Sequence, residues 1–129
     1  MKENQILVVI KEVGKEPYVE PLFDNTLESF QAAVGGYIET MTFAADACLI
    51  VNEEGIYKGL PLNIHGLGCD LFGTVIAVGI KGDEFASLKS SSVPLVMNMM
   101  RGGEGGWNLW NVSTWAQVNL VAVMHTFRN

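Results

Sequence analysis

The residues most able to do chemistry in this sequence lie within one short segment. His65, Cys69 and Asp70 follow the pattern H-x-x-x-C-D in a glycine-rich stretch. A cysteine needs a nearby base or cation to be nucleophilic at neutral pH, and His65 could supply one. A working site also requires an orienting group and an oxyanion hole. We favour the simpler interpretation that Cys69 packs beside the neighbouring leucines, and we expect the protein not to be an enzyme.

The same residue types raise the question of a metal site. Cys48, His65, Cys69 and His125 are all of the types that bind zinc. Their spacing contains none of the C-x-x-C or H-x-x-x-H pairs that structural zinc sites use. Cys48 also lies in an apolar run, where a free cysteine usually packs as a small hydrophobic residue. We therefore expect neither a bound metal nor another cofactor.

Two glycine clusters could bind an anion through their backbone N–H groups. Gly66 and Gly68 form one, and residues 102–106 contain the other. Neither cluster matches a phosphate-binding loop with its lysine or a dinucleotide-binding fingerprint. Glycine clusters usually mark flexible turns. We keep Gly66 and Gly68 as candidate ligand contacts, together with Asn63 and His65.

A second group of candidates follows these glycines. Arg101 precedes the sequence Trp107-Asn108-Leu-Trp110. Tryptophan offers a flat stacking surface, and arginine offers a fork of donors for phosphate or carboxylate. Together they could hold a nucleotide base or another planar anionic ligand. Aromatic residues also dominate protein cores and interfaces, and on residue type alone that second interpretation is the more common.

The segment from residue 48 to residue 79 is the centre of the predicted fold. It contains two apolar strands, separated by a polar turn and a glycine-punctuated stretch. We take the carboxylates of two turns, at residues 53–54 and 83–84, to be solvated. Elsewhere, β-branched runs and alternation predict further strands, and Asn25 or Thr26 begins a helix that ends at Gly35 and Gly36. The predicted strands are residues 6–10, 18–22, 37–41, 48–51 and 73–80.

A second helix is predicted after Ser92, with Pro94 in its first turn, where proline is well tolerated. Gly102 and Gly103 are expected to end this helix. We interpret residues 118–127 as a strand against residues 73–80, although their pattern also suits a helix. The helix should bury one apolar stripe, formed by Leu95, Val96, Met99 and Met100.

The order of these elements predicts an α+β fold. We expect a single small domain over residues 1–129, built on a mostly antiparallel sheet with one or two short helices. With six methionines and 49% apolar residues, the chain has surplus apolar surface to cover. We therefore expect a homodimer or a larger homo-oligomer.

The charge balance argues against nucleic acid as a partner. The chain carries 14 acidic and 8 basic residues, for a formal net charge of −6. Binding a phosphate backbone needs clustered lysine and arginine. No apolar run approaches the roughly 20 residues that span a bilayer, and the N-terminus does not resemble a signal peptide. We expect a cytoplasmic protein with reduced thiols and no membrane contact.

Several short runs also occur together in a recognisable order and spacing. They comprise residues 14–18, 25–28, 35–39, 49–55, 59–63, 72–74 and 84–88. As a set, over about residues 5–100, they resemble an uncharacterised family, domain of unknown function 3846, found in phages, plasmids and other bacterial mobile elements. The resemblance implies a mobile-element origin and a small α+β domain, and it implies no activity.

Two places depart from that family's pattern. Members tend to have a basic residue directly after the equivalent of Asn63, where this chain has Ile64. The Trp-rich extension, residues 101–129, continues past the recognisable part. A function that depends on either place cannot be transferred from the family.

Three functions compete on these observations. We expect a non-catalytic protein that binds a small anionic, possibly nucleotide-derived ligand and acts against host defence by sequestering it. The alternative is a protein-interaction module that inhibits a host enzyme through an apolar, Trp-rich surface, and a small Cys/His hydrolase is the third. The predicted ligand site comprises Asn63, His65, Gly66, Gly68, Arg101, Trp107, Asn108 and Trp110.

Overall fold

The computed structural model describes residues 4–65 and 70–101 of the chain. Within them the chain forms eight strands, two α-helices and one 3-10 turn. The strands are β1 (Gln5–Lys11), β2 (Tyr18–Asp24), β3 (Ile38–Ala44), β4 (Ala47–Asn52), β5 (Leu62–Ile64), β6 (Leu71–Phe72), β7 (Val75–Lys81) and β8 (Glu84–Ala86). The helices are α1 (Leu27–Val34) and α2 (Val93–Arg101), and the 3-10 turn, Ser90–Ser92, leads into α2.

The main sheet has the strand order β2-β1-β7-β4-β3, and all of its neighbouring strands are antiparallel. The two apolar runs predicted at the centre of the chain become β4 and β7, which lie side by side. β8 continues the sheet beside the C-terminal end of β7. The predicted fold, a mostly antiparallel α+β structure with two short helices, is confirmed.

Both faces of this sheet are covered, which explains why its central strands are mostly apolar. On one face, α1 packs over Cys48 and Ile50 of β4 and the alternate residues of β1 and β7. On the other face, α2 and the β5–β6 hairpin pack over Leu49 and Val51. Since side chains alternate along a strand, a strand buried on both faces is apolar along most of its length. All six residues of β4 are buried.

Local signals set the limits of α1. The Thr26 hydroxyl accepts the backbone N–H of Ser29 at 3.2 Å, so Thr26 is the N-cap. Gly35 ends the helix with φ of 80°, a left-handed conformation that glycine adopts without strain, and donates to the Gln31 carbonyl at 2.8 Å. Phe30 is fully buried, with aromatic neighbours in β2 and β8. α1 is thereby held on its face of the sheet.

The second helix differs from its prediction in one residue. Val96, Met99 and Met100 are buried against the sheet, as expected. Leu95 is 49% exposed, so its assignment to the buried stripe is wrong. Its position lies to one side of the stripe because successive helical residues are rotated by about 100°. The glycines expected to end this helix, Gly102 and Gly103, lie outside the described residues.

Three short strands were not predicted. β5 and β6 form a separate two-stranded hairpin inside the glycine-punctuated stretch. The predicted turn at residues 81–84 joins β7 directly to β8, and Lys81 pairs with Glu84 across this turn. Strands of two or three residues are too short to show an alternating pattern.

The prediction of a strand at residues 118–127 falls outside the described part of the chain. Both edges of β7 are already paired, with β4 on one side and with β1 and β8 on the other. No helix in residues 4–65 or 70–101 is long and apolar enough to cross a membrane.

Candidate ligand-binding groove

The side chain of Asn63 in β5 is held by three hydrogen bonds within the protein. Its Nδ2 donates to the Lys11 carbonyl at 2.7 Å and to the Gly73 carbonyl at 2.8 Å. Its Oδ1 accepts from Lys11 Nζ at 2.7 Å. Both amide N–H groups are therefore occupied, and the oxygen has one remaining lone pair. Asn63, a predicted ligand contact, positions the β5–β6 hairpin on the sheet.

Lys11 is the one buried cation in residues 4–65 and 70–101. It ends β1 and is only 8% exposed, with a long 3.5 Å contact from Nζ to the Glu12 carbonyl besides its bond to Asn63. Burial lowers the pKa of Lys11, and the nearby Glu16 carboxylate opposes that shift. Sequence reasoning missed this residue. The sequence feature that could have identified Lys11 is its position directly after the continuous apolar run of β1.

Arg101 lies near the same end of β1. Its Nε donates to Glu16 Oε1 at 3.0 Å, and the side chains of Arg101 and Glu16 are 45% and 79% exposed. Glu16 therefore lies between two cations, the exposed Arg101 and the buried Lys11. Two predicted site residues, Asn63 and Arg101, thus both lie near the C-terminal end of β1. The two cations there, Lys11 and Arg101, already have partners within the chain.

His65 has a carboxylate partner. Its Nδ1 lies 2.6 Å from Asp70 Oδ1, directly past the Ile64–Leu71 pair of the β5–β6 hairpin. The side chains of His65 and Asp70 are 77% and 46% exposed. A carboxylate on Nδ1 is the group that orients a histidine base in hydrolases. The proposed nucleophile, Cys69, lies outside the described residues. For the hydrolase alternative, the described part of the chain therefore supplies Asp70 as a group that orients His65, but no nucleophile.

A groove of about 320 Å³ opens between β3, the loop after β4 and β6. Its floor is apolar, with Met41, Val51 and Leu71 at its base. Asp70 connects the groove to His65. The lining residues in the described part of the chain are Glu39, Met41, Val51, Asn52, Glu53, Gly55, Ile56, Tyr57, Asp70, Leu71 and Phe72.

Carboxylates dominate the polar lining of this groove. Glu39, Glu53 and Asp70 contribute three acidic groups, and no basic residue is among the described residues that line it. Glu39 is exposed as a residue, but partial burial of its carboxyl raises the pKa of Glu39, and the negative charge of Glu53 adds to the shift. Sequence reasoning took Glu53 for a solvated turn residue. Glu53 is exposed as expected, but it also lines the groove together with Glu39.

The rim of the groove carries two exposed apolar side chains. Ile56 is 72% exposed and Tyr57 is 91% exposed, in the loop that follows β4. Asn52 holds the start of this loop, because its Oδ1 accepts the Glu54 N–H at 2.7 Å and its Nδ2 donates to the Val34 carbonyl at 3.0 Å. A well-anchored loop thus presents an aromatic ring to solvent.

The remaining predicted site residues cannot be placed. Gly66, Gly68, Trp107, Asn108 and Trp110 lie outside the described residues, and their part in a ligand site stays a prediction.

The hypothetical zinc ligands do not form a group in the described part of the chain. Cys48 is fully buried beneath α1, whereas His65 is exposed on the β5–β6 hairpin. The other two, Cys69 and His125, lie outside the described residues. Within residues 4–65 and 70–101, no cluster of three potential ligands could hold a metal ion.

Comparison with known proteins identifies the family. The model described as Domain of unknown function (DUF3846) matches residues 4–101 of the 129. The chain belongs to this family. The described residues that line the groove lie inside the range that matches DUF3846, as do Asn63 and Arg101, whereas the three tryptophans lie beyond it. No curated protein and no solved structure matches the chain.

Proposed function

We propose that this protein binds a small ligand without transforming it, and that the groove beside β3 takes a ligand combining an apolar body with a positively charged group. The observation that carries this proposal is the composition of the groove, where three carboxylates surround an apolar floor. Ligand sites are typically apolar cavities with a few polar groups that fix orientation.

The charge of the lining favours a cation. Glu39 and Glu53 repel each other, which is one cause of the raised pKa of Glu39. A ligand cation between them relieves this repulsion and forms charge-assisted hydrogen bonds. An anion would add to the repulsion. The groove thus supports a ligand of opposite charge to the one expected from the sequence.

The size of the groove limits the ligand. A volume of about 320 Å³ lies at the lower end of the roughly 300–1,000 Å³ found for ligand sites. It accommodates a small amine or guanidine with an aliphatic or aromatic body, or a single long side chain of a peptide. Phe72 and Met41 supply the apolar contacts for that body.

A protein partner is the second candidate, favoured by the exposure of Ile56 and Tyr57 at the rim. Exposed aromatic residues beside a pocket are typical of anchor points in protein interfaces. A partner would insert a lysine or arginine side chain into the groove and cover the Tyr57 ring. This version corresponds to the interaction module expected as an alternative from the sequence.

The anionic, nucleotide-like ligand and the anti-defence role remain predictions. Of the residues predicted for that ligand, Asn63, His65 and Arg101 lie in the described part of the chain, and each has a partner there. A mobile-element origin and a cytoplasmic location likewise rest on the sequence alone.

Calorimetric titration tests the groove with four probes: N-acetyl-arginine amide, phenethylamine, spermidine and ADP-ribose. We expect one of the cationic probes to bind, and Glu39→Gln and Glu53→Gln each to weaken it about ten- to a hundredfold, the effect of losing one charge-assisted contact. Glu28→Gln, on the exposed side of α1, serves as the control. Absence of binding by every cation, or equal binding by all variants, would falsify the groove proposal. Recovery of a chemically altered probe would contradict binding without catalysis.

A further inference from the structure

The two edge strands of the main sheet differ in burial. β2 contains no buried residue, and its Leu22 is 52% exposed. β3 ends the same strand order on the other side, yet Thr40, Thr42 and Phe43 are only 5%, 4% and 2% exposed. An edge strand that faces solvent should resemble β2, because one side of its backbone is unpaired. The burial of β3 therefore indicates that its outer edge is covered.

The backbone groups of Thr40 and Thr42 are directed at this outer edge. The Glu53 N–H donates to the Tyr37 carbonyl at 2.8 Å, which continues the β3–β4 ladder past Ile38 with a hydrogen-bonded pair. Hydrogen-bonded and non-hydrogen-bonded pairs alternate along an antiparallel ladder, and the register is regular from Ile38 to Thr42. The N–H and C=O groups of Thr40 and Thr42 therefore point away from β4. Since both residues are almost fully buried, these groups are shielded from water.

The elements that cover the sheet faces do not account for this shielding. α1 lies over one face, and α2 and the β5–β6 hairpin lie over the other. Such elements cover side chains, whereas the shielded backbone groups point along the sheet. Within residues 4–65 and 70–101, no strand pairs with the outer edge of β3. Buried backbone groups are nearly always hydrogen-bonded, so these groups need partners from a segment that lies beside β3.

Three segments of the chain lie outside the described residues, and two of them are poorly placed to reach this edge. Residues 1–3 precede β1, which is three strand spacings, or about 14 Å, from β3, whereas three residues extend only about 10 Å. Residues 66–69 close the β5–β6 hairpin, and the groove lies between that hairpin and β3. The remaining segment, residues 102–129, is therefore the candidate.

We propose that residues 118–127 form a strand that pairs with the outer edge of β3 over Ile38–Thr42. This run is the one predicted as a strand from the sequence, and only Asn119, His125 and Thr126 in it are polar. β7, its predicted partner, already has both edges paired, whereas β3 has an edge that is covered by no described strand. The pairing stops at Thr42, because the register of β3 on β4 shifts directly after it.

The connection from α2 to this strand is long enough. α2 ends at Arg101, which contacts Glu16 just past the end of β1. From there the outer edge of β3 is three strand spacings away, about 14 Å, plus one more spacing for the added strand. Residues 102–117 link Arg101 to the proposed strand, and sixteen residues reach about 50 Å when extended. The link can therefore reach either end of β3.

The added strand would also extend the groove. Glu39 and Met41 line the groove from β3, so alternate side chains of a strand beside β3 would continue its floor away from β6. The match to DUF3846 ends at residue 101, so this part of the floor would come from the Trp-rich extension. The pairing does not depend on a ligand, so failure of either proposal leaves the other intact.

Amide hydrogen exchange of the full chain, measured by NMR, tests the pairing. We expect the Thr40 and Thr42 amides to exchange at least about a hundredfold more slowly than unprotected amides. Ala122→Pro and Val123→Pro each remove one N–H, and successive N–H groups of a strand point to opposite sides. One of the two variants should therefore speed exchange at both threonines at least about tenfold. The Met41 amide, which is directed at β4, is the matched control and should be unaffected.

Two outcomes of the exchange experiment would overturn the proposal. One is rapid exchange of the Thr40 and Thr42 amides in the unmodified chain. The other is protection of these amides that neither proline variant reduces, with folding checked by circular dichroism.

A nitroxide label tests the position of the segment without proline. In a Cys69→Ser background, Thr126→Cys carries the label, and Glu20→Cys on β2 carries it in a matched control, while the buried Cys48 stays unlabelled. We expect the label at position 126 to broaden the amide signals of β3 more strongly than those of β2, and the label at position 20 to do the reverse. Stronger broadening of β2 from position 126, or broadening of neither strand, would overturn the proposal.

A mixture separates the chain's own segment from that of a second copy. Spin-labelled Thr126→Cys without isotope enrichment is mixed with the isotope-enriched unmodified chain. We expect no broadening of the β3 signals in this mixture. Broadening there would assign the edge of β3 to a second copy, as in the homo-oligomer expected from the composition, and would overturn the proposal.

Discussion

The side-chain amide of Asn63 binds Lys11 through both its main chain and its ammonium group. Nδ2 donates to the Lys11 carbonyl and Oδ1 accepts from Lys11 Nζ, each at 2.7 Å. The second N–H of the amide reaches the Gly73 carbonyl at 2.8 Å. One side chain therefore connects β5 to the end of β1 and to the segment leading into β7. The placement of the β5–β6 hairpin, and with it one wall of the groove, depends on this amide.

Replacing Asn63 with alanine should destabilise the protein by about 2–3 kcal/mol. The change leaves the Lys11 carbonyl and ammonium without their partner, and each unsatisfied buried group costs about 1–3 kcal/mol. Urea denaturation followed by circular dichroism measures the loss. Asn98→Ala, at an exposed position on α2, should change stability by less than about 0.5 kcal/mol. Equal small effects of both changes would show that the amide has no structural role.

Gly79→Ala should destabilise the β7–β8 hairpin by about 1–3 kcal/mol. A Cβ at Gly79 would collide with the carbonyl oxygen of Ser87, a backbone atom that cannot rotate away, and overpacking typically has this cost. Gly82→Asn, in the turn of the same hairpin, is the control. Gly82 has φ of 67° and open space around it, and asparagine tolerates that conformation. Thermal unfolding should show a clearly larger loss for Gly79→Ala than for Gly82→Asn.

The parts of the fold that could be predicted from the sequence are those with long, local signals. Continuous apolar runs identified β1, β4 and β7 because strands buried on both faces are apolar along most of their length. Thr26 and Gly35 identified the ends of α1 because helix caps depend on single residue types. The β5–β6 hairpin escaped prediction because it is held by distant groups, such as Lys11, that no local pattern reveals.

The candidate site was less predictable than the fold. The sequence singled out Asn63 and His65 for their polar character, and both side chains have partners inside the protein. The groove combines residues from β3, the loop after β4 and β6, which are far apart in the chain. Glu39 gave no signal of its own, because a single glutamate in a strand usually faces solvent. Its significance depends on Glu53 and Asp70, which line the same groove.

Cys48 should be inert in the folded protein. Burial raises the pKa of its thiol, so the reactive thiolate does not form at neutral pH, and its side chain is fully enclosed beneath α1. In a Cys69→Ala variant, Cys48 should react with a chromogenic disulfide reagent only at the rate of unfolding. Concentrated guanidinium should release the thiol at once, which provides the control. Rapid stoichiometric labelling of the native variant would contradict the buried placement of Cys48.

The contribution of Glu39 to stability should fall as the pH rises. A salt-bridged acid, whose folded pKa is lowered, has the opposite dependence. Partial burial, and then the charge of Glu53, raise its folded pKa above 4.5, the ordinary pKa that the carboxyl has in the unfolded chain. At a pH between the unfolded-state and the folded-state pKa of Glu39, the folded protein binds more protons than the unfolded chain. The contribution of Glu39 to stability therefore falls as the pH rises. Glu39→Gln should therefore be more stable than the unmodified protein at neutral pH, and this advantage should disappear below pH 4.5.

Titration of the Glu39 carboxyl by NMR separates the two causes of its raised pKa, which are burial and the charge of Glu53. Glu53→Gln should lower the Glu39 pKa in part, because it removes the repulsion and leaves the larger effect of burial. Denaturation curves of the Glu39→Gln variant across the same pH range give the stability comparison. An advantage of Glu39→Gln that is independent of pH would mean that its cause is packing and not ionisation.

Arg101 decides whether the anionic ligand expected from the sequence binds this protein. The Arg101–Glu16 pair is exposed, with 45% and 79% of the two side chains accessible, so it should contribute no more than about 1 kcal/mol to stability. Arg101→Ala should therefore leave the melting temperature almost unchanged. If ADP-ribose binds at Arg101, the same change should weaken it about tenfold or more, and Arg101→Lys should restore only part of the affinity, since lysine lacks the bidentate fork.

Glu16→Gln gives the sharper test, because Glu16 occupies Arg101 Nε at 3.0 Å, where an anionic group would bind. Removing this competing carboxylate should tighten ADP-ribose binding, while Lys15→Ala, at a neighbouring exposed lysine paired with Glu12, should have little effect. Calorimetry on the unmodified protein and these variants measures each affinity. Flat titrations for all of them would exclude an ADP-ribose-like ligand. Binding that is unaffected by both Arg101→Ala and Glu16→Gln would place the ligand away from the end of α2.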